Sequence, residues 1–170
     1  MTQDRSVKGW ASARRWLGTA VRVLLIAVGL SPWLPALATL LPSLEPLASL
    51  VEVWFGLQCH RDPSRALTFG TLQLPVCARC FGIYAGLGWG ALVLRPRLEP
   101  KFVRLWLGSS LVFMLLDVAT ELLEMRPASP ALRVVTGALL AWPIGVALVQ
   151  NARKYALGSE AEGARGLPRD

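Results

Sequence analysis

The chain has 170 residues, 54% of them hydrophobic and 17% charged, with a mean hydropathy of +0.46 and a formal net charge of +7. This composition excludes an ordinary soluble domain of that length. The basic residues lie between apolar segments and at the two ends, with no single groove or stripe, so no nucleic-acid partner is expected; the lipid bilayer is.

A helix rises about 1.5 Å per residue, so crossing a hydrocarbon core of about 30 Å takes roughly 20 mostly apolar residues. Residues 1–16 form a basic segment. The first span is expected over about 17–41, with Arg22 near its start, where a long side chain can snorkel, and Pro32 and Pro35 near its far end, where a kink is expected. A competing reading takes this region as a cleaved secretory signal, because Arg14 and Arg15, an apolar run and Ala36-Leu37-Ala38 imitate one. Next, "SLEPLASLVEVWFGLQ" places Leu47, Leu50, Val51 and Trp54 at helical spacing with Glu45 and Glu52 on another face. This predicts an amphipathic helix at the outer interface, with Trp54 and Phe55 at headgroup level, delivering Cys59 and His60 at membrane depth.

The window "CHRDPSRALTFGTLQLPVCARC" holds all three cysteines, Cys59, Cys77 and Cys80, and the only histidine, His60. The second span is expected over about 76–94. Its uncharged part, Cys80 to Leu94, rises only about 22 Å, so the helix is expected to start at Pro75, which suits a first turn. Cys77 and Cys80 then share the first turn, where the helix dipole favours thiolates. Three readings stay open: a Cys₃His site for zinc or a similar soft metal, a dithiol cycling with a quinone, and a purely structural role as a plain disulfide with one spare thiol or as three buried cysteines and a packed histidine. A closed four-ligand zinc site would staple the loop to the bundle, with no role in activating water.

The third span is expected over about 105–125 and the fourth over about 131–149. Asp117, Glu121 and Glu124 put an acidic face on the third helix beside Thr120, and Arg133, Thr136 and Gly137 open the fourth with a polar or small face. Intramembrane carboxylates are costly unless paired, so Arg133 is expected to meet Asp117 or Glu121. Asp117, Thr120, Glu121, Arg133 and Thr136 are thus expected to line a polar pocket with Arg79 at its rim. Its use is either a lipid headgroup, quinone or ion ligand, or a structural ion pair that fixes helix register. Residues 151–170 are expected to be a disordered tail.

Lysines and arginines concentrate before the first span, between the second and third, and after the fourth. By the positive-inside rule both termini are cytoplasmic and the Cys/His loop is extracytoplasmic, in a multi-pass protein of the inner (plasma) membrane. The fold class is therefore all-α: a four-helix transmembrane bundle over 17–150 with a Cys/His-bearing extracytoplasmic loop and an interfacial helix.

The stretch from Cys59 to Gly90, with "CHRDPSRALTF", "PVCARCFGIY" and a following small-residue pattern, resembles a family of small bacterial and archaeal membrane proteins known as domain-of-unknown-function family 2085. "DVATE" and "LRVVTG" in the last two spans extend the resemblance, which covers roughly residues 50–145. Where the family pattern has D-G-x-T-Q, this chain has Asp117-Val118-Ala119-Thr120-Glu121, so a carboxylate stands where an amide is expected. The resemblance implies a shared fold and site and assigns no reaction. The functional expectation is an integral membrane protein with a soft-metal site at its outer face beside the polar pocket. Two alternatives stand with it: a quinone-linked thiol–disulfide oxidoreductase, and a small transporter or structural subunit, either a homo-oligomer or joined to a partner membrane subunit.

Overall fold

The computed structural model describes residues 3–59, 65–70, 72–93, 98–127 and 129–165, with side chains described only within 16–156. Helix α1 (Gln3–Leu30) is followed by a 3₁₀ turn (Ser31–Trp33) and a short α2 (Leu34–Leu40). Pro32 and Pro35 each lack an amide for the helical ladder, and the interruption falls where those prolines predict a kink. A second 3₁₀ turn (Pro42–Leu44) leads into α3 (Glu45–Gln58), then strands β1 (Ala66–Phe69) and β2 (Leu72–Cys77), α4 (Ala78–Leu92), α5 (Pro100–Leu122) and α6 (Pro130–Arg165).

Among the described residues, three segments are long and apolar enough to cross a membrane: Trp16–Leu40, Pro100–Leu122 and Pro130–Ala156. The expected second span does not reach that length, because α4 has only 15 residues. The expectation that its helix begins at Pro75 is corrected. Pro75 lies within β2, which pairs antiparallel with β1 through Phe69↔Leu72 and Ala66↔Cys77 about a turn at Gly70 (φ 63°). That ladder holds the chain extended as far as Cys77, so α4 starts only at Ala78. The hairpin is also the one departure from an all-helical chain among the described residues. Helix α6 continues to Arg165, so helix occupies most of the segment expected to be a disordered tail, and 166–170 lie outside the described residues.

Helix α6 packs against α1, α4 and α5, and α4 packs closely on both α6 and α1. A Cβ on Gly82 would lie 2.1 Å from the Val134 carbonyl oxygen, and one on Gly90 would lie 2.3 Å from that of Trp142. Numbers rise together on the two helices, so α4 and α6 run parallel with backbones in direct contact, the close approach that small residues permit in membranes. On α1, Gly29 faces Gly88 while Arg22 donates to the Val93 carbonyl oxygen at 2.6 Å, so α1 runs antiparallel to α4. Arg22 thus does more than snorkel: it satisfies a carbonyl at the C-terminus of α4, where a cation suits the helix dipole. Helix α5 lies chiefly on α6, antiparallel, with Trp106 Nε1 donating to Leu139 at 2.8 Å and Asp117 and Glu121 near the start of α6.

Burial on α5 is inverted relative to a soluble helix. Its buried residues are Ser110 and Asp117, while Leu105, Leu116 and Leu122 are exposed. Polar groups inside and aliphatic groups outside is the arrangement a bilayer selects. The stripe on α3 behaves likewise: Leu47, Leu50 and Trp54 face outward, and the helix is seated by Ala48 and Phe55. Phe55, expected at headgroup level beside Trp54, is instead fully buried in a cluster with Cys59, Val76 and Tyr84.

Candidate functional site

The cysteine cluster is assembled by two helix ends. Cys59 is the residue at which α3 stops, its amide still donating to the Phe55 carbonyl at 2.8 Å while its own backbone turns extended. Cys77 closes β2 and sits at the N-cap of α4, and Cys80 lies in the first turn of that helix. Phe55 meets Tyr84 edge to face at 5.2 Å, and the Tyr84 hydroxyl donates to Gln58 at 2.7 Å, fixing the end of α3 against α4. The three sulfurs consequently lie within 4.8 Å of one another. All three are free thiols, and the Cys77 amide donates to the Cys59 sulfur at 3.3 Å.

A tetrahedral zinc with Zn–S bonds of about 2.3 Å needs sulfurs about 3.8 Å apart, so this cluster fits a Cys₃ set after a contraction of about an ångström or less. Hydrogen bonding from Cys80, aided by Cys59, holds the Cys77 thiol well below the ordinary thiol range, against the opposing effect of burial. His60, the expected fourth ligand, lies outside the described residues.

Beside the cysteines lies the polar network. Arg79, in the first turn of α4, reaches across to α5 and donates to Asp117 at 2.7 Å, with Glu121 at 3.9 Å. Arg133 makes a two-pronged contact with Glu121, one prong from Nε at 3.1 Å. Of the two partners open to Arg133, the structure selects Glu121. Thr120 joins as an acceptor, taking a hydrogen bond from Arg126 Nε at 3.0 Å, whereas Thr136 donates to the Arg133 carbonyl at 3.1 Å and so serves its own helix. Glu124 stays outside, exposed and in a left-handed conformation (φ 55°) at the turn after α5.

One member has no counterpart among the expected site residues. Arg126 pairs with the Asp117 carboxylate and donates to the Asp117 carbonyl at 3.0 Å. No helical spacing links the two, because the tight turn at Glu124 folds Arg126 back over the end of α5; a basic residue just past an acidic helix face was the available signal. The Asp117 side chain is left only 2% exposed between two guanidinium groups.

A family model described as "Predicted membrane protein (DUF2085)" matches residues 59–147, from the first cysteine to the middle of α6. An uncharacterized protein of Methanocaldococcus jannaschii is 33% identical over 49% of this chain and 56% of its own length, so the chain spans little more than half of that relative. An uncharacterized protein of Methanothermobacter thermautotrophicus is 34% identical over 62% of this chain and 96% of its own length. No solved structure matches.

Proposed function

We propose a function from one premise: the chain belongs to the DUF2085 family of predicted membrane proteins, whose matched segment takes in all three cysteines and the whole polar network. It is an integral membrane protein of four crossings that holds one zinc or similar soft ion at its outer face through Cys59, Cys77 and Cys80, with His60 as the fourth ligand. Helix α4 is the short second crossing, supported by its antiparallel run beside α1 and parallel run beside α6. Both termini are cytoplasmic, in the plasma membrane. The observation that carries the metal reading is the convergence of three sulfurs within 4.8 Å at the junction of α3, β2 and α4. An ion there ties the interfacial helix and hairpin to the bundle, a structural task.

Metal analysis of protein purified in detergent without chelator tests this. One equivalent of zinc is expected, lost in Cys59→Ser, Cys77→Ser and Cys80→Ser, with His60→Ala reducing affinity. Substoichiometric metal together with a Cys77–Cys80 disulfide would overturn it.

That second outcome belongs to a redox reading, favoured by the depressed Cys77 thiol at a helix N-terminus with Cys80 beside it. In that reaction the two thiols give two electrons and two protons to a quinone, forming a disulfide and a quinol. It predicts that adding a quinone converts reduced protein to the disulfide form, whereas the metal site predicts no such change.

A further inference from the structure

Helices α4 and α5 scarcely touch; both lean on α6, leaving a groove between them with α6 as its floor. Its volume is about 440 Å³, and its walls are Ala85 and Trp89 of α4, Trp106 of α5, and Val135, Ala138 and Trp142 of α6. The Arg79–Asp117 ion pair crosses from α4 to α5 at one end, and Arg133 lies two residues before Val135. The guanidinium groups thus lie beyond one end of the slot, Arg79 about 9 Å of helix rise before Ala85 on α4.

We propose that this groove holds an acyl chain of a membrane lipid whose anionic phosphate headgroup sits on Arg79 and Arg126. Three observations specify the occupant. From Arg79 to Trp89 the helix rises about 15 Å, half of a hydrocarbon core of about 30 Å, which is the depth of one leaflet. Arg79 and Arg126 converge on the one Asp117 carboxylate, while Glu121 is engaged by Arg133, so the two outer guanidinium groups share a single paired carboxylate. Arg79 and Arg126 are the two that keep access, their side chains 20% and 25% exposed, and the buried Arg79 Nε has no hydrogen-bond partner among the described residues. Guanidinium groups only donate, and phosphate oxygens only accept. Polar head and apolar slot are therefore matched in sign, hydrogen-bond sense and length. The proposal depends on the membrane setting and not on the metal, so failure of either leaves the other standing.

Lipid binding to the full-length protein in an uncharged detergent, measured by native mass spectrometry and by thermal shift, tests it. The probes are phosphatidylglycerol, phosphatidylcholine of the same chains, and inorganic phosphate. One phosphatidylglycerol should be retained per chain and should bind about tenfold more tightly than phosphatidylcholine, and Arg126→Gln should lower that affinity about fivefold. Ala85→Phe fills the slot and should abolish retention; Val135→Phe, on an exposed wall of α6, reads the same outcome should Ala85→Phe fail to fold. Equal binding of the two lipids, the full shift with inorganic phosphate alone, or wild-type retention in folded groove variants would each overturn the proposal.

Discussion

Asp117 is the residue on which the polar network turns, because its buried carboxylate answers both Arg79 and Arg126. Asp117→Asn leaves two guanidinium groups facing an amide, and breaking a buried pair from one side is the costly case: a loss of about 3 kcal/mol is expected. Arg126→Gln alone should cost about 1 kcal/mol or less, since its side chain keeps solvent or headgroup contact. In Asp117→Asn/Arg126→Gln the losses should fall short of additive, by about 1 kcal/mol or more. Unfolding of detergent-solubilised protein measures all three, and strict additivity would show that the two side chains are not coupled. At this scale the sequence was informative wherever helical spacing applied: Asp117, Glu121 and Arg133 converge as their positions foretell. Arg126 was hidden because its approach depends on a left-handed Glu124, which no periodicity encodes. The three thiols were legible as a group through their rarity, while their closeness depends on Phe55 and Tyr84 holding two helix ends together.

Among the elements, α4 owes its place to missing side chains. A Cβ on Gly86 would meet the Ala138 carbonyl oxygen at 2.6 Å and its Cα at 2.9 Å, and backbone cannot swing aside as a side chain can. Gly86→Leu should therefore destabilise the bundle by about 3 kcal/mol or more, while Gly108→Ala on α5, with nothing within 4 Å, should be neutral or mildly stabilising. Thermal unfolding of both in the same detergent checks the contrast, and a tolerated Gly86→Leu would refute backbone contact between α4 and α6. The three long spans and α3 were legible because length, apolar content and helical period agree over many residues. The hairpin is hard to read because Pro75 equally suits a helix start, although "LQLPV" alternates and Leu74 and Val76 do point inward. A strand of six residues beside a helix leaves too short a pattern for period alone to separate them.

For the whole molecule, the alternating directions of α1, α4, α5 and α6 make a specific statement about sidedness. If the hairpin is outside, an alkaline phosphatase fused after Gly70 is active and one fused after Tyr155 is not, with a cytoplasmic reporter giving the reverse. Activity of the phosphatase at both positions would rule out the four-crossing arrangement. The parallel seating of α4 on α6 also bears on how the protein is made. With 15 residues and a glycine at every fourth position from Gly82 to Gly90, α4 is shorter than any of the three long spans and depends on its neighbours for its place. The surface it fits belongs to residues from Val134 onward, which at about 5–20 residues per second follow some seconds later. Until then α1 is the one long helix already made that α4 packs against. A chain cut before Val134 lacks the whole surface that receives Gly82, Gly86 and Gly90, so α4 should be far more accessible to protease in it than in the intact chain.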